Sequence, residues 1–159
     1  MMDVIGLVAR VVVNLVLTVP VVKFFLKKER RLYKNISRPI LLLEASEGGL
    51  KREERIVNGT KIMKTCGRIN YSLDPDAILN VNNERAIVIQ YSKSNTFNDL
   101  INRIRDSHLP VVVLSRVGEI KDVEILEKIQ GYSYGSMANT PTRLLSDLFA
   151  LMNIMPEDK

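Results

Sequence analysis

The feature that most restricts what this chain can fold into is its start. Residues 4–26 read VIGLVARVVVNLVLTVPVVKFFL, an almost unbroken apolar run, and the basic cluster KKERRLYK follows at once and ends at Lys34. A helix needs about 20 predominantly apolar residues to cross a bilayer core, and this run has twenty-three. Lys and Arg gathered beside an apolar span are the pattern of a cytoplasmic membrane boundary. A cleavable leader does not fit, because there the basic residues precede the apolar core and here they follow it.

Three positions act against a simple span. Arg10 costs about 2.5–3.5 kcal/mol if held near the middle of a membrane helix. Asn14 is polar, and Pro20 removes a helix hydrogen bond. Three placements follow. A signal-anchor helix leaves its short N-terminus outside and the rest of the chain in the cytoplasm. A helix lying in the interface, or packed on partner subunits, accommodates Arg10, Asn14 and Lys23. A buried element of the folded core also suits so many valines. Length and flank favour the first. Residues 1–34 are therefore expected to be a membrane anchor flanked by Lys23, Lys27, Lys28, Arg30, Arg31 and Lys34, with membrane lipid contacted over residues 4–34. Residues 35–38 are expected to be a linker, broken by Pro39. Residues 39–159 are expected to be a soluble α/β domain.

The net charge of +5 sharpens this division. Residues 23–34 hold six Lys or Arg against Glu29, whereas residues 35–159 hold sixteen charges of each sign. The entire basic excess lies beside the apolar run. A nucleic-acid-binding domain carries a basic surface of its own, so nucleic acid is not an expected partner. Cys66 and His108 are single, which excludes an internal disulfide and any multi-cysteine or multi-histidine metal site. No cofactor or metal is expected. The glycan-acceptor patterns at Asn35, Asn58 and Asn70 matter only if the domain faces a lumen, and the basic flank argues that it does not.

Past the linker, apolar runs alternate with helical spacing. Residues 39–44 (PILLLE) read as a buried strand, 50–57 as an exposed helix, and Asn58-Gly59 as a turn. Residues 60–72 fit a strand or a hairpin, and residues 74–79 a turn or short helix before Asn82-Asn83. Residues 86–91 are a strand. Asn95 or Thr96 caps a helix through Asp106 whose apolar face is Phe97, Leu100, Ile101 and Ile104. Residues 110–114 are a strand, 120–129 a helix ended by Gly131, and 132–136 a short strand. Thr140-Pro-Thr142 opens the last helix. Its stripe of Leu144, Leu145, Leu148, Leu151, Met152 and Met155, if wider than the sheet can cover, is a partner surface that methionines make adaptable. Alternation of this kind predicts an N-terminal hydrophobic helix followed by a small Rossmann-like domain, with a mostly parallel sheet between helices and right-handed crossovers.

In such a sheet, ligands gather at the carboxyl ends of the strands. Those ends carry Ser46, Gly48, Gly49 and Lys51, then Ser92, Lys93, Ser94 and Asn95, then Ser115 and Arg116, and then Ser136. Backbone N–H groups at Gly48 and Gly49, with Lys51 nearby, suit an anion, although the G-x-x-x-x-G-K-[ST] spacing of a phosphate loop is missing. Serines and glycines also end strands simply because turns need them. His108 lies between a helix and a strand, and a base role would need Cys66 or a serine close in space. Tyr132 and Tyr134, as alternate residues of a strand, would share one face.

No catalytic constellation is legible. The simplest function is an assembly or adaptor subunit of a membrane-associated complex, acting as a homo-oligomer or with a protein partner. A second class is a membrane-tethered sensor or effector that binds a nucleotide or other anion at the strand ends. A hydrolase using Cys66 or a serine ranks third.

Overall fold

The structure is a computed structural model that describes residues 2–73 and 86–155, with the backbone alone for residues 2–15 and 17. The chain falls into two compact units, residues 1–34 and 35–159. In the first, α1 (Met2–Ile36) is a continuous helix of 35 residues with Pro20 inside it. Val19, Val21, Val22, Phe24, Phe25 and Leu26 are all exposed along it. The side chains of residues 4–15, where Arg10 and Asn14 fall, lie outside the described residues. Among the described residues, no helix is long and apolar enough to cross a membrane.

The second unit alternates strand and helix. Its elements are β1 (Ile40–Glu44), α2 (Lys51–Gly59), β2 (Thr65–Asn70), β3 (Ala86–Gln90), α3 (Asn95–Asp106), β4 (Val111–Leu114), α4 (Val123–Gln130), β5 (Gly135–Ala138) and α5 (Pro141–Ile154). The strands lie in the order β2-β1-β3-β4-β5, and every neighbouring pair is parallel. The short apolar runs of β1, β3 and β4 make this work, because a sheet covered on both faces needs strands that are apolar on both. Leu41, Leu43, Ile87, Ile89, Val111 and Val113 pack with Phe97, Leu100, Ile101 and Ile104 of α3 and with Ile125 and Ile129 of α4. The alternate residues Ile40, Leu42, Val88 and Val112 are equally buried. They face the other way, toward the layer in which α2 and α5 touch.

β2 is one of the two edge strands among the described residues, and it is a single parallel strand rather than a hairpin. Its register against β1 slips between Ile40 and Leu41, leaving Cys66 as the extra residue of a bulge. Gly67 follows at φ +125°, a conformation open to glycine.

Several local expectations shift for identifiable reasons. Ser94, not Asn95 or Thr96, caps α3, accepting the Phe97 N–H at 3.2 Å. Asp122 accepts the Glu124 N–H at 3.0 Å and so starts α4 three residues after Ile120, which is buried in the preceding loop. α2 runs on through Asn58-Gly59, where a turn is expected. The Asn58 carboxamide instead accepts the Thr65 N–H at 2.9 Å and fixes the entry to β2. Tyr132 and Tyr134 precede β5 instead of alternating along it, with rings edge to face at 5.9 Å. The turn or short helix expected over residues 74–79 and the Asn82-Asn83 turn lie outside the described residues.

The apolar stripe of α5 closes the sheet. Leu144, Leu148, Leu151, Met152 and Met155 are buried within the chain, so they offer no partner surface. The segment expected to be a linker is also tied down. Asn35, Ile36 and Arg38 are buried. The Asn35 Nδ2 donates to the Met152 carbonyl at 2.8 Å, taking one of the carbonyls that the last turn of α5 leaves open.

Candidate functional site

The strand order reverses between β1 and β3, and a crevice outside the carboxyl ends of those two strands is where an open α/β sheet binds ligands. Here the crevice is framed by Glu44 at the end of β1 and Gln90 at the end of β3. Both side chains share a face with Leu42 and Val88 and point toward the start of α2.

Glu44 is buried, 5% exposed. Its Oε1 accepts the Gly48 N–H at 3.2 Å, and its Oε2 accepts the Leu50 N–H at 3.3 Å and Arg68 Nη1 at 3.1 Å. Arg68 in turn reaches Glu54 on α2 through Nε at 2.9 Å. Two further donors here are engaged within the chain, Gly49 N–H by the Ser46 carbonyl and Lys51 N–H by the Gly48 carbonyl. The β1–α2 loop therefore does hold an anion at its backbone donors, and that anion is its own glutamate. An ionised carboxylate buried without such partners would cost far more than a neutral polar group does. The charge-assisted bonds to both oxygens offset that cost.

Gln90 closes the other side. Its Oε1 accepts the Ala45 N–H at 3.1 Å. Its carboxamide lies so close to Gly49 that a Cβ there would collide with it, so the glycine is needed for close approach. The Tyr71 hydroxyl, from the loop after β2, donates to the Gln90 carbonyl at 2.9 Å. Burial pushes the Tyr71 phenol up to about 12, with a hydrogen bond to Ser92 acting in the opposite direction. The loops after β1, β2 and β3 are thus bound to one another at the switch point. Among the described residues, no group of three or more His, Cys, Asp or Glu is placed to hold a metal ion.

Beside this closed centre lie two open clefts. One, about 510 Å³, has Gly49, Arg52, Gln90, Ser115, Arg116 and Asn139 on its walls. The other, about 550 Å³, is lined by Tyr91, Lys93, Ser94, Asn95, Glu119 and Asp122. The residues expected at the strand ends are accordingly divided. Gly49, Ser115 and Arg116 share the first cleft, and Lys93, Ser94 and Asn95 share the second. Ser46, Gly48, Lys51 and Ser92 line neither of the two. Ser94 is the α3 cap, and the Arg116 N–H donates to Glu119 Oε2 at 2.6 Å in the β4–α4 turn. Ser136 is not at a strand end at all. It sits within β5, and its hydroxyl donates at 2.7 Å to Asp147 Oδ2, which Arg143 also reaches.

The residues that reasoning from sequence missed are Glu44, Arg68, Gln90 and Tyr71. Glu44 and Gln90 look like the polar ends of apolar runs, and Arg68 looks like one charge of a mixed stretch. A period-two pattern does hint that both side chains leave the core on the same face, but only the fold brings Arg68 to them. His108 stands at the other end of the sheet at φ +54°. It lines a separate cleft of about 740 Å³ with Arg105, Tyr132 and Tyr134. There the Tyr132 hydroxyl donates to the Leu109 carbonyl at 2.7 Å, and burial pushes that phenol up to about 12.

No protein-family model matches the chain, and no curated protein is similar to it in sequence. Solved structures are similar to it in fold. The response regulator domain of Thermotoga maritima CheB matches with a TM-score of 0.58 at 15% identity, covering 76% of this chain and 99% of that one. The response regulator ChrA of a heme-sensing two-component system matches with a TM-score of 0.55 at 14% identity, covering 74% of this chain and 57% of that one. What is shared at these identities is the fold: a small α/β domain with a five-stranded parallel sheet between helices, like that of response-regulator domains.

Proposed function

We propose that the chain is a membrane-tethered adaptor, a response-regulator-like domain held at the cytoplasmic side of a membrane by its N-terminal helix. It acts by binding protein, either a second copy of itself or a subunit of a membrane-associated complex. The observation that carries this reading is the closed switch point. Covalent work by a carboxylate needs an oxygen that a reactant can reach. The carboxylate at the end of β1 is buried and accepts hydrogen bonds from Gly48, Leu50 and Arg68, and β3 ends in the amide of Gln90. A domain whose crevice is filled by its own side chains has its outer surface left for partners. The neighbours in fold come from signalling proteins, which agrees with this role. The tether is supported by the apolar run and by the basic residues from Lys23 to Lys34. Fractionation of cells expressing the full chain tests it. The protein is expected to remain in the membrane pellet after an alkaline carbonate wash, and full release into the supernatant would remove the tether from the account.

A second reading has its own observation. The 510 Å³ cleft is lined by Arg52 and Arg116 with Ser115 and Asn139, and also by Glu53 and Glu119, and arginine side chains suit a phosphate or carboxylate. In that reading the domain is a tethered sensor of a nucleotide or another anion.

A further inference from the structure

The domain of residues 35–159 is neutral as a whole, but its two ends differ. Its strands are all parallel, so the loops that precede them and the last turns of α2 to α5 gather at the amino end of the sheet. Among the described residues that end holds Lys61, Lys64, Arg103, Arg105 and Lys128 against Asp106 and Glu127, with Arg38 buried. The loops and first helical turns of the carboxyl end hold basic and acidic residues in equal number. Residues 80–85 and 156–159, which are not described, hold three acids and two bases, too few to reverse the excess at the amino end.

A helix C-terminus favours basic side chains in any protein, and this accounts for Arg103, Arg105 and Lys128. It does not account for the loop between α2 and β2. There Ile62 is 62% exposed between Lys61 and Lys64. The loop is not slack, because Thr60 Oγ1 accepts the Ile62 and Met63 N–H groups at 3.4 and 3.1 Å. Lys61 has φ +60°, a conformation in which glycine is the usual residue after a helix. His108 takes the equivalent place after α3 at φ +54°. At both places the chain keeps a side chain at the amino end against the preference of the backbone.

The exposed groups are also spread out. The loop of Lys61 and Lys64 precedes β2 at one edge of the sheet, and the cleft of Arg105, Tyr132 and Tyr134 adjoins β5 at the other. Four strand spacings separate these edges, about 19 Å. A face of that width suits an extended anionic plane, on which lysines meet phosphate and tyrosines lie at headgroup level. The chain also enters the domain at this end, because α1 leads into β1. Leu26 closes the apolar run ten residues before Ile36, so α1 holds Ile36 no more than about 15 Å beyond it. The headgroup layer fills about 5–8 Å of that distance. What remains is close to the reach of headgroup charge, about 8 Å at physiological salt.

We infer that the amino end of the sheet, around Lys61, Ile62 and Lys64, is the face by which the domain docks onto an anionic phospholipid surface. This rests on the tether proposed above and adds to it a docking face and a lipid charge.

The chain contains no tryptophan. Ile62→Trp therefore places a single reporter on the docking face, and Val117→Trp, at an 84% exposed position of the opposite end, is its control. The full-length variants are reconstituted into vesicles of phosphatidylcholine, with or without phosphatidylserine, in which part of the phosphatidylcholine carries a nitroxide on its headgroup. Flotation reports attachment, and nitroxide quenching reports contact. With phosphatidylserine present, quenching at position 62 is expected to rise about twofold or more, and quenching at position 117 to stay unchanged. Adding Lys61→Gly and Lys64→Gln is expected to abolish the rise, and the glycine accommodates the φ of +60°. Salt at about 1 M is expected to do the same without any substitution on the loop. Equal quenching at position 62 with and without phosphatidylserine, on vesicles that carry the protein, overturns the inference and leaves the tether standing, as it would if this face served an acidic protein partner. An equal rise at position 117 overturns the choice of face. Failure of the chain to float with either vesicle removes the tether, and the inference falls with it.

Discussion

Arg68 and Glu44 are 24 positions apart in the chain and meet at 3.1 Å, Nη1 to Oε2. The contact joins the edge strand β2 to the end of β1 at the place where a sheet of this order would open to a ligand. Because Glu44 also takes the Gly48 and Leu50 N–H groups, one side chain holds together β1, β2 and the start of α2.

Removing that side chain exposes its role. Glu44→Ala leaves two backbone donors and one face of Arg68 without their acceptor in a buried place. The expected loss of stability is about 2–4 kcal/mol. Glu44→Gln, which keeps one acceptor oxygen, is expected to lose less. Urea denaturation of the three proteins measures both, and a loss below about 0.5 kcal/mol for the alanine variant, the size of an ordinary surface change, would show that the pair is ornamental.

Gly49 and Gln90 are predicted to be coupled. A methyl group at position 49 displaces the Gln90 carboxamide and breaks its bond to the Ala45 N–H. Gly49→Ala is therefore expected to cost about 1 kcal/mol, although removing a glycine usually helps through the unfolded chain. In a Gln90→Ala background the same change is expected to be neutral or stabilising by about 0.4–1 kcal/mol. A double-mutant cycle with no coupling would refute the close approach.

Tyr71 gives a pH dependence with a definite sign. Its folded phenol is raised from its ordinary 10.0 to about 12, chiefly by burial. The neutral form is therefore favoured in the folded state. That stability is whole below about pH 10 and is lost as pH rises through 12. Tyr71→Phe is expected to be less stable at neutral pH by about 1 kcal/mol, having lost the bond to the Gln90 carbonyl, yet to decline less steeply above pH 10. Tyr132, raised to the same extent, is present in both proteins and cancels. Parallel melting-temperature curves for the two between pH 10 and 12 would contradict the assignment.

The parts of the fold that could be read from the chain are those with a strong period. The buried runs at 86–90 and 111–114 and the i, i+3, i+4, i+7 face of Phe97, Leu100, Ile101 and Ile104 correspond to β3, β4 and α3. Where a single polar side chain sets a boundary, pattern alone misplaces it. Ile120, Val123 and Leu126 keep the helical spacing, but the Asp122 cap starts α4 after Ile120. β2 has few apolar residues because it lies at the edge, so its sequence resembles a loop. The site was least legible of all. Its centre depends on Arg68 and Tyr71, from β2 and the turn after it, and Gln90, from the end of β3, being brought to Glu44, and no local spacing encodes that. Loop glycines and serines suggested an external anion, whereas the Gly48 and Leu50 donors are met by an anion from within the chain.

The most direct test of a switch point closed by its own side chains is a thermal-shift measurement on the full chain in detergent. The ligands are a panel of nucleoside mono-, di- and triphosphates and inorganic phosphate, each with and without Mg²⁺. A ligand that binds only the folded form must raise the melting temperature. The adaptor account predicts no rise with any of them. A clear rise that Arg116→Ala removes would contradict it and establish the 510 Å³ cleft as an anion site.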